Sequence, residues 1–233
     1  MSKRYGIYYA PATASALWQR AAQWLGRDAS GRDLEPATIA GPSASRRQEL
    51  TTLARRYGFH GTIKAPMALP GHQTIGDLER ALTEFTLRHR PVPIGQLQVT
   101  MIGDFLAIMP VEQSQAVRDF ANEAMLAFEP FRAPLVGADR ARRLESGLTE
   151  RQEEYLDRYG YPYVLEHFLF HMTIGDRLLD PDRDGIIKAA KDWFAPVLDT
   201  PPVLDRLTLF VEPEAGAAFV RLGDYPLLSQ ASV

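Results

Sequence analysis

Two five-residue stretches in the same frame constrain this chain more than anything else in it. They are F-H-G-T-I at Phe59–Ile63 and F-H-M-T-I at Phe170–Ile174, about a hundred residues apart in a chain with five histidines. Both combine aromatic and β-branched residues, the composition that suits a strand. Side chains on a strand alternate between its faces. His60 and Thr62 therefore point one way, and Phe59, Gly61 and Ile63 the other. His171 and Thr173 stand against Phe170, Met172 and Ile174 in the same manner. Each stretch offers an apolar face to a core, and core packing gives no reason for matched His and Thr on the opposite face.

The surroundings of the two motifs also repeat. A strand at Arg4–Ala10 is stopped by Pro11, and an amphipathic helix follows over Thr13–Leu25, with Leu17, Ala21, Trp24 and Leu25 on one face. Residues 26–45 have no period and read as loop, and Arg46–Tyr57 as helix. The first motif opens a strand over Phe59–Leu69. A helix over Thr74–Arg90 buries Ile75, Leu78, Leu82 and Phe85, and Pro91 stops it. Leu97–Ile102 and Phe105–Met109 form a hairpin around Gly103-Asp104. A helix spans Glu112–Phe128. After a charged stretch over residues 129–163, with Thr149 as the cap of a helix, the order resumes. A strand carries the second motif through Ile174, a helix spans Pro181–Phe194, and strands occupy Val203–Val211 and Ala217–Leu222. Strand-helix-strand-strand thus occurs twice, a weak internal duplication with the twin motifs on equivalent strands.

Composition narrows the chemistry. A length of 233 residues suffices for a buried core. With 26 Lys and Arg against 29 Asp and Glu, the summed field does not favour capture of a long polyanion. The lack of cysteine removes disulfides, thiolate nucleophiles and thiolate metal sites together, and fits a reducing compartment. The N-terminus has no signal-peptide pattern and no segment approaches the ~18 apolar residues of a membrane span. The expectation is a cytoplasmic protein with no membrane partner.

Two imidazoles and two hydroxyls on one cleft suit cleavage of a phosphodiester. One neutral imidazole takes a proton from an attacking water while the other, protonated, gives one to the leaving alkoxide. Thr62 and Thr173 donate hydrogen bonds to the non-bridging oxygens as charge builds there. Lys64, two residues beyond Thr62, has the parity to reach the same face. The scheme requires no cofactor and no metal. A zinc site from His60, His171 and Asp176 is the rival, weakened by the lack of close-spaced further ligands. His72, His89 and His167 have no partner frame and read as surface or edge residues.

These paired motifs, one in each half of the chain, resemble the two-histidine (2H), LigT-like phosphoesterase superfamily, which includes RNA 2′,3′-cyclic phosphodiesterases and 2′-5′ RNA ligase-like proteins. R-Y-G-I-Y-Y-A-P at Arg4–Pro11, R-Y-G-F-H-G-T-I-K-A-P at Arg56–Pro66, F-R-A-P at Phe131–Pro134, A-R-R at Ala141–Arg143 and G-Y-P-Y-V at Gly160–Val164 resemble a DUF1045-like branch associated with phosphonate metabolism. The resemblance implies His60 and His171 as acid and base, with Thr62 and Thr173 binding phosphate. It implies an α+β fold of two pseudo-symmetric lobes, each an antiparallel sheet flanked by helices, with a central cleft. The chain is then one bilobal domain over residues 1–233, with halves at about 1–128 and 164–233 and an inserted helical arm at about 129–163. The F-R-A-P and A-R-R segments suggest Arg132, Arg142 and Arg143 as clamps for a second phosphate. Tyr5 and Tyr161 are candidate cleft-lining donors.

The branch association implies a small cyclic phosphate as partner, in particular 5-phosphoribosyl 1,2-cyclic phosphate, opened to ribose 1,5-bisphosphate. An RNA-end enzyme predicts instead a basic, open cleft with stacking aromatics, which the balanced charge and the long arm oppose. A non-enzymatic phosphosugar or nucleotide sensor predicts binding without turnover.

Overall fold

The computed structural model describes residues 3–35, 37–135, 137–145, 147–178 and 183–228, without the side chains of residues 138 and 142. Among these residues the strands are β1 (Arg4–Tyr9), β2 (Gly61–Met67), β3 (Val92–Pro93), β4 (Leu97–Ile102), β5 (Phe105–Pro110), β6 (Met172–Arg177), β7 (Val203–Leu204), β8 (Arg206–Glu212) and β9 (Val220–Pro226). The helices are α1 (Ala16–Leu25), α2 (Ala44–Glu49), α3 (Thr52–Tyr57), α4 (Ile75–Thr86), α5 (Gln115–Ala127), α6 (Gly137–Leu144), α7 (Glu150–Tyr159) and α8 (Arg183–Leu198).

Local chemistry sets most of these boundaries. The Ser15 side chain accepts from the Trp18 N–H at the start of α1, and Gly26 ends the helix in the left-handed conformation that costs glycine little. Thr74 and Asp77 form a reciprocal capping box on α4, and Thr149 and Gln152 another on α7. The helix expected over Arg46–Tyr57 is instead two short helices, broken at Leu50–Thr51, where the Leu50 carbonyl accepts from the Asp176 N–H on β6 at 2.8 Å. A tertiary hydrogen bond has overridden local helix preference there.

The class is α+β, as the resemblance implied. Seven strands run in the order β4-β5-β6-β2-β1-β8-β9, every neighbouring pair antiparallel, and β3 pairs separately with β7. This order interleaves the two repeats. The β4–β5 hairpin follows β2 in sequence but lies beside β6, and the β8–β9 hairpin follows β6 but lies beside β1. The three-stranded and four-stranded portions meet at β2 and β6, whose registered contact is one pair, Gly61 opposite Met172.

Helices cover the sheet so that the motif strands are fixed from behind. Leu17, Trp18, Ala21, Trp24 and Leu25 of α1 join Phe170, Met172 and Ile174 in the main core, together with Phe194 of α8 and Phe210 of β8. At roughly 25 cal/mol per Å² of apolar surface, each fully buried large side chain of this kind contributes about 2–3 kcal/mol. The arm holds a smaller cluster, Tyr155, Tyr159 and Val164, packed on Met125 of α5.

Candidate active site

The Gly61–Met172 pair organises the site. In an antiparallel ladder, the neighbours of a paired couple come opposite one another and share a face. His60 therefore stands beside Thr173, and Thr62 beside His171, with all four side chains on the same side of the sheet. A local two-fold relation runs through the pair. The two imidazoles are held alike: His60 Nδ1 lies 2.9 Å from the Gly58 carbonyl, and His171 Nδ1 lies 2.8 Å from the Leu169 carbonyl. A carbonyl only accepts, so Nδ1 carries the proton in each ring and Nε2 is the nitrogen left for chemistry.

Packing explains why the twin motifs differ at their centre. A Cβ at Gly61 would lie 2.8 Å from the Phe170 ring, so the second motif's phenylalanine occupies the space that any side chain at 61 would need. Gln113 brackets Phe170, accepting from its N–H at 2.9 Å and donating to its carbonyl at 3.1 Å, which fixes the backbone that enters His171. The approach to His60 is fixed by Asp176. Thr51 gives α3 no side-chain cap, and the Asp176 carboxylate of β6 accepts from the Leu53 and Ala54 N–H groups at 2.7 and 2.9 Å. Asp176 is thereby spent on capping, the role the zinc reading would have taken from it. Among the described residues no three His, Asp or Glu side chains cluster as metal ligands.

Electrostatics favours neutral imidazoles. Burial, reinforced by the charge of His171, pulls the His60 pKa down to about 4 against the Gly58 hydrogen bond, which acts upward. Burial also lowers that of His171. Tyr8 supplies part of the enclosure: its ring stacks on His60 with centroids 3.8 Å apart and planes at 24°. The Tyr8 ring folds back over Gly6, where a Cβ would collide with it. Burial raises the Tyr8 pKa strongly, and its hydroxyl has no hydrogen-bond partner among the described residues.

Of the remaining candidates, Tyr161 and Arg143 lie toward this face. The Arg143 guanidinium sits over the Tyr161 ring at 5.4 Å, and burial pushes the Tyr161 pKa up to about 12. Tyr57 and Tyr161 both act electrostatically on Tyr8, which places them around the same enclosure. The Arg142 side chain lies outside the described part of the structure.

Three expectations require correction. Lys64 is buried, and its ammonium donates to the Met125 carbonyl at 3.1 Å and to Glu129 at 2.6 Å. The parity argument fails because β2 is bulged: Tyr8 pairs with Thr62, but Ile7 pairs with Lys64. Tyr8 and Ile7 are on opposite faces of β1, so Thr62 and Lys64 are too. Arg132 bonds Glu129 and donates to the Arg158 carbonyl, with its side chain packed where a Cβ of Gly160 would be. It ties the arm to the end of α5. Tyr5 shares the face of Ile7 and is influenced by Glu79 of α4, away from the imidazoles. Tyr8, which the sequence suggests as a packing or stacking residue, is the tyrosine of β1 that lies against His60.

Fold and site together define an α+β protein with a duplicated His-x-Thr face on one antiparallel sheet. The sequence profile of the family described as "Protein of unknown function (DUF1045)" matches residues 62–220, and the chain belongs to that family. It is 34% identical over 97% of its length to "Ribose 1,5-bisphosphate phosphokinase PhnN" of Janthinobacterium sp. (strain Marseille), covering 51% of that protein. It is also 34% identical over 93% of its length to the protein of the same name from Laribacter hongkongensis (strain HLHK9), covering 50% of it. The chain thus spans about half the length of these curated relatives. Among solved structures, E. coli LigT complexed with 3′-AMP aligns over 99% of this chain and 100% of its own, with 11% identity and a TM-score of 0.44. A structure described as a phosphoesterase aligns over 98% and 99%, with 11% identity and a TM-score of 0.39. No helix among the described residues is long and apolar enough to cross a membrane.

Proposed function

We propose that this chain is a metal-independent cyclic phosphodiesterase that opens 5-phosphoribosyl 1,2-cyclic phosphate to ribose 1,5-bisphosphate. The observation carrying the reading is the register at Gly61–Met172, which brings His60, Thr62, His171 and Thr173 to one face with both Nε2 atoms left for chemistry. His60, the harder ring to protonate, is the base: its Nε2 takes a proton from a water that attacks phosphorus. The bond from phosphorus to the 2-oxygen breaks, and His171, which takes up a proton at Nε2 when the anionic substrate lies against it, gives that proton to the 2-oxygen. The two threonine hydroxyls donate to the non-bridging oxygens. Arg143, over Tyr161, takes the 5-phosphate.

The name of the two curated relatives supports the substrate. A kinase acting on ribose 1,5-bisphosphate consumes the product of this ring opening. The present sequence contains no G-x-x-x-x-G-K-[ST] phosphate loop, so in this reading the named kinase activity belongs to the part of those proteins that the chain does not match. The partner is a small cyclic phosphate, with no long nucleic acid.

The test is turnover in EDTA of 5-phosphoribosyl 1,2-cyclic phosphate, 2′,3′-cyclic nucleotides and a 2′,3′-cyclic-ended oligonucleotide, followed by phosphorus NMR. His60→Ala and His171→Ala are each expected to lose roughly 10²–10⁴-fold in rate on the ribosyl substrate. Activity surviving either substitution, or no turnover of any cyclic phosphate, overturns the reading.

A further inference from the structure

An open surface pocket of about 270 Å³ is lined by Arg27, Gln48, Thr52, Arg55, Arg56 and Ala218, with Arg55 and Arg56 in the segment that leads to His60. None of the four His and Thr side chains belongs to it. Three of its six lining residues are arginines, and no carboxylate lines it.

The charges around it do not balance. Arg56 pairs with Glu212, but that buried carboxylate is shared with Arg4. Arg27 donates to the carbonyls of Arg55, Arg56 and Phe219, at 3.1 and 3.4 Å for the first two. Carbonyls satisfy its hydrogens and leave its charge uncompensated. Among the described residues neither Arg27 nor Arg55 forms a salt bridge. The acid that acts on Arg27 is Asp28, whose carboxylate is already engaged by Trp18, Ser30 and Arg32. Burial, and after it the neighbouring charge of Arg55, lower the Arg27 pKa, outweighing the opposing pull of Asp28.

We propose that this pocket is a second anion site that binds a phosphate monoester dianion, separate from the His-Thr face. Guanidinium groups match phosphate oxygens in pairs, and Arg55 contributes its whole fork. The volume exceeds what phosphate alone needs and accommodates a small ester group. Its chemistry is that of inorganic phosphate or a phosphosugar.

Phenylglyoxal labelling of arginines, mapped by mass spectrometry, tests this on the full chain and on His171→Ala. Probes are inorganic phosphate, ribose 5-phosphate, and chloride at equal ionic strength. At a probe concentration about ten times its dissociation constant, labelling of Arg55 is expected to slow roughly tenfold, in both proteins and not in chloride. Protection at lower concentration by ribose 5-phosphate assigns the site to a phosphosugar, and equal protection assigns it to free phosphate. In calorimetry, Arg55→Gln is expected to lose this phosphate binding while keeping the wild-type melting temperature. Arg55 labelling unaffected by phosphate, slowed equally by chloride, or protected only where His171 is intact overturns the proposal.

Discussion

Acidification probes the paired imidazoles directly. The His60 pKa is about 4 in the folded chain, against 6.5 for an unperturbed imidazole. At ~1.4 kcal/mol per unit the gap amounts to about 3 kcal/mol of discrimination against the charged ring. Between these two values the unfolded chain binds the proton and the folded chain does not, so stability rises with pH across the window. The contribution is fully present above about 6.5 and is lost as pH falls toward 4. Between pH 7 and pH 5 the loss from His60 alone is about 2 kcal/mol. His171, also depressed by burial, adds a loss of the same sign. Urea unfolding of wild type and His60→Gln at both pH values isolates the term, the variant being expected to lose about 2 kcal/mol less on acidification. Equal losses in the two proteins, or an NMR titration placing the His60 midpoint near 6.5, would refute the claim that burial keeps this ring neutral.

Asp176→Ala leaves the first N–H groups of α3 without their acceptor. It is expected to cost about 1–2 kcal/mol, a fall in Tm of roughly 2–8 °C at this chain length. Asp176→Asn should recover most of that loss, because burial raises the Asp176 pKa and the amide keeps an acceptor without a charge. Gly61→Ala forces a methyl to 2.8 Å from the Phe170 ring and is expected to destabilise by about 1–3 kcal/mol, with Phe170→Leu partly rescuing it in thermal unfolding. Lys64→Met removes the hydrogen bonds to Met125 and Glu129. About 1–3 kcal/mol should be lost in urea unfolding, with KM for the proposed cyclic phosphate substrate within about twofold of wild type.

The parts of the site that were legible in the sequence are those governed by parity within a strand. His60 with Thr62, and His171 with Thr173, need no information beyond two residues of separation. Lys64 needed the same rule to hold across four residues of β2, and the bulge opposite Ile7 and Tyr8 broke it. A bulge arises from pairing with another strand, which the sequence of β2 alone does not specify. The choice between Tyr5 and Tyr8 has the same character: the aromatic run at Arg4–Ala10 predicts a strand but not which face meets His60. One local signal was present. Gly6, two residues before Tyr8 and hence on its face, leaves room for a ring to lie back along the strand. The break between α2 and α3 was hidden for another reason, since its cause is a carbonyl taken by Asp176, 126 residues further on.

The interleaved strand order has a consequence for the site. With one registered pair between β2 and β6, the sheet by itself is a weak tie between the two histidines. Their relative placement comes from contacts that cross from one motif's surroundings to the other's. The Asp176 carboxylate of β6 holds the helix that feeds His60. Trp24 of α1 donates to the Ile174 carbonyl at 2.7 Å, inside the second motif. Phe170 fills the space above Gly61. In the proposed reaction, acid-base transfer through one phosphorus requires both Nε2 atoms to be set before substrate arrives, because positioning errors of about 1 Å can cost roughly 10²-fold in rate. Had each hairpin paired with its own repeat, each histidine would sit in a self-contained unit, and the angle between units would set the distance. Exchange of the hairpins makes each histidine's strand part of the other's support, so the distance between the two rings follows from the core packing itself.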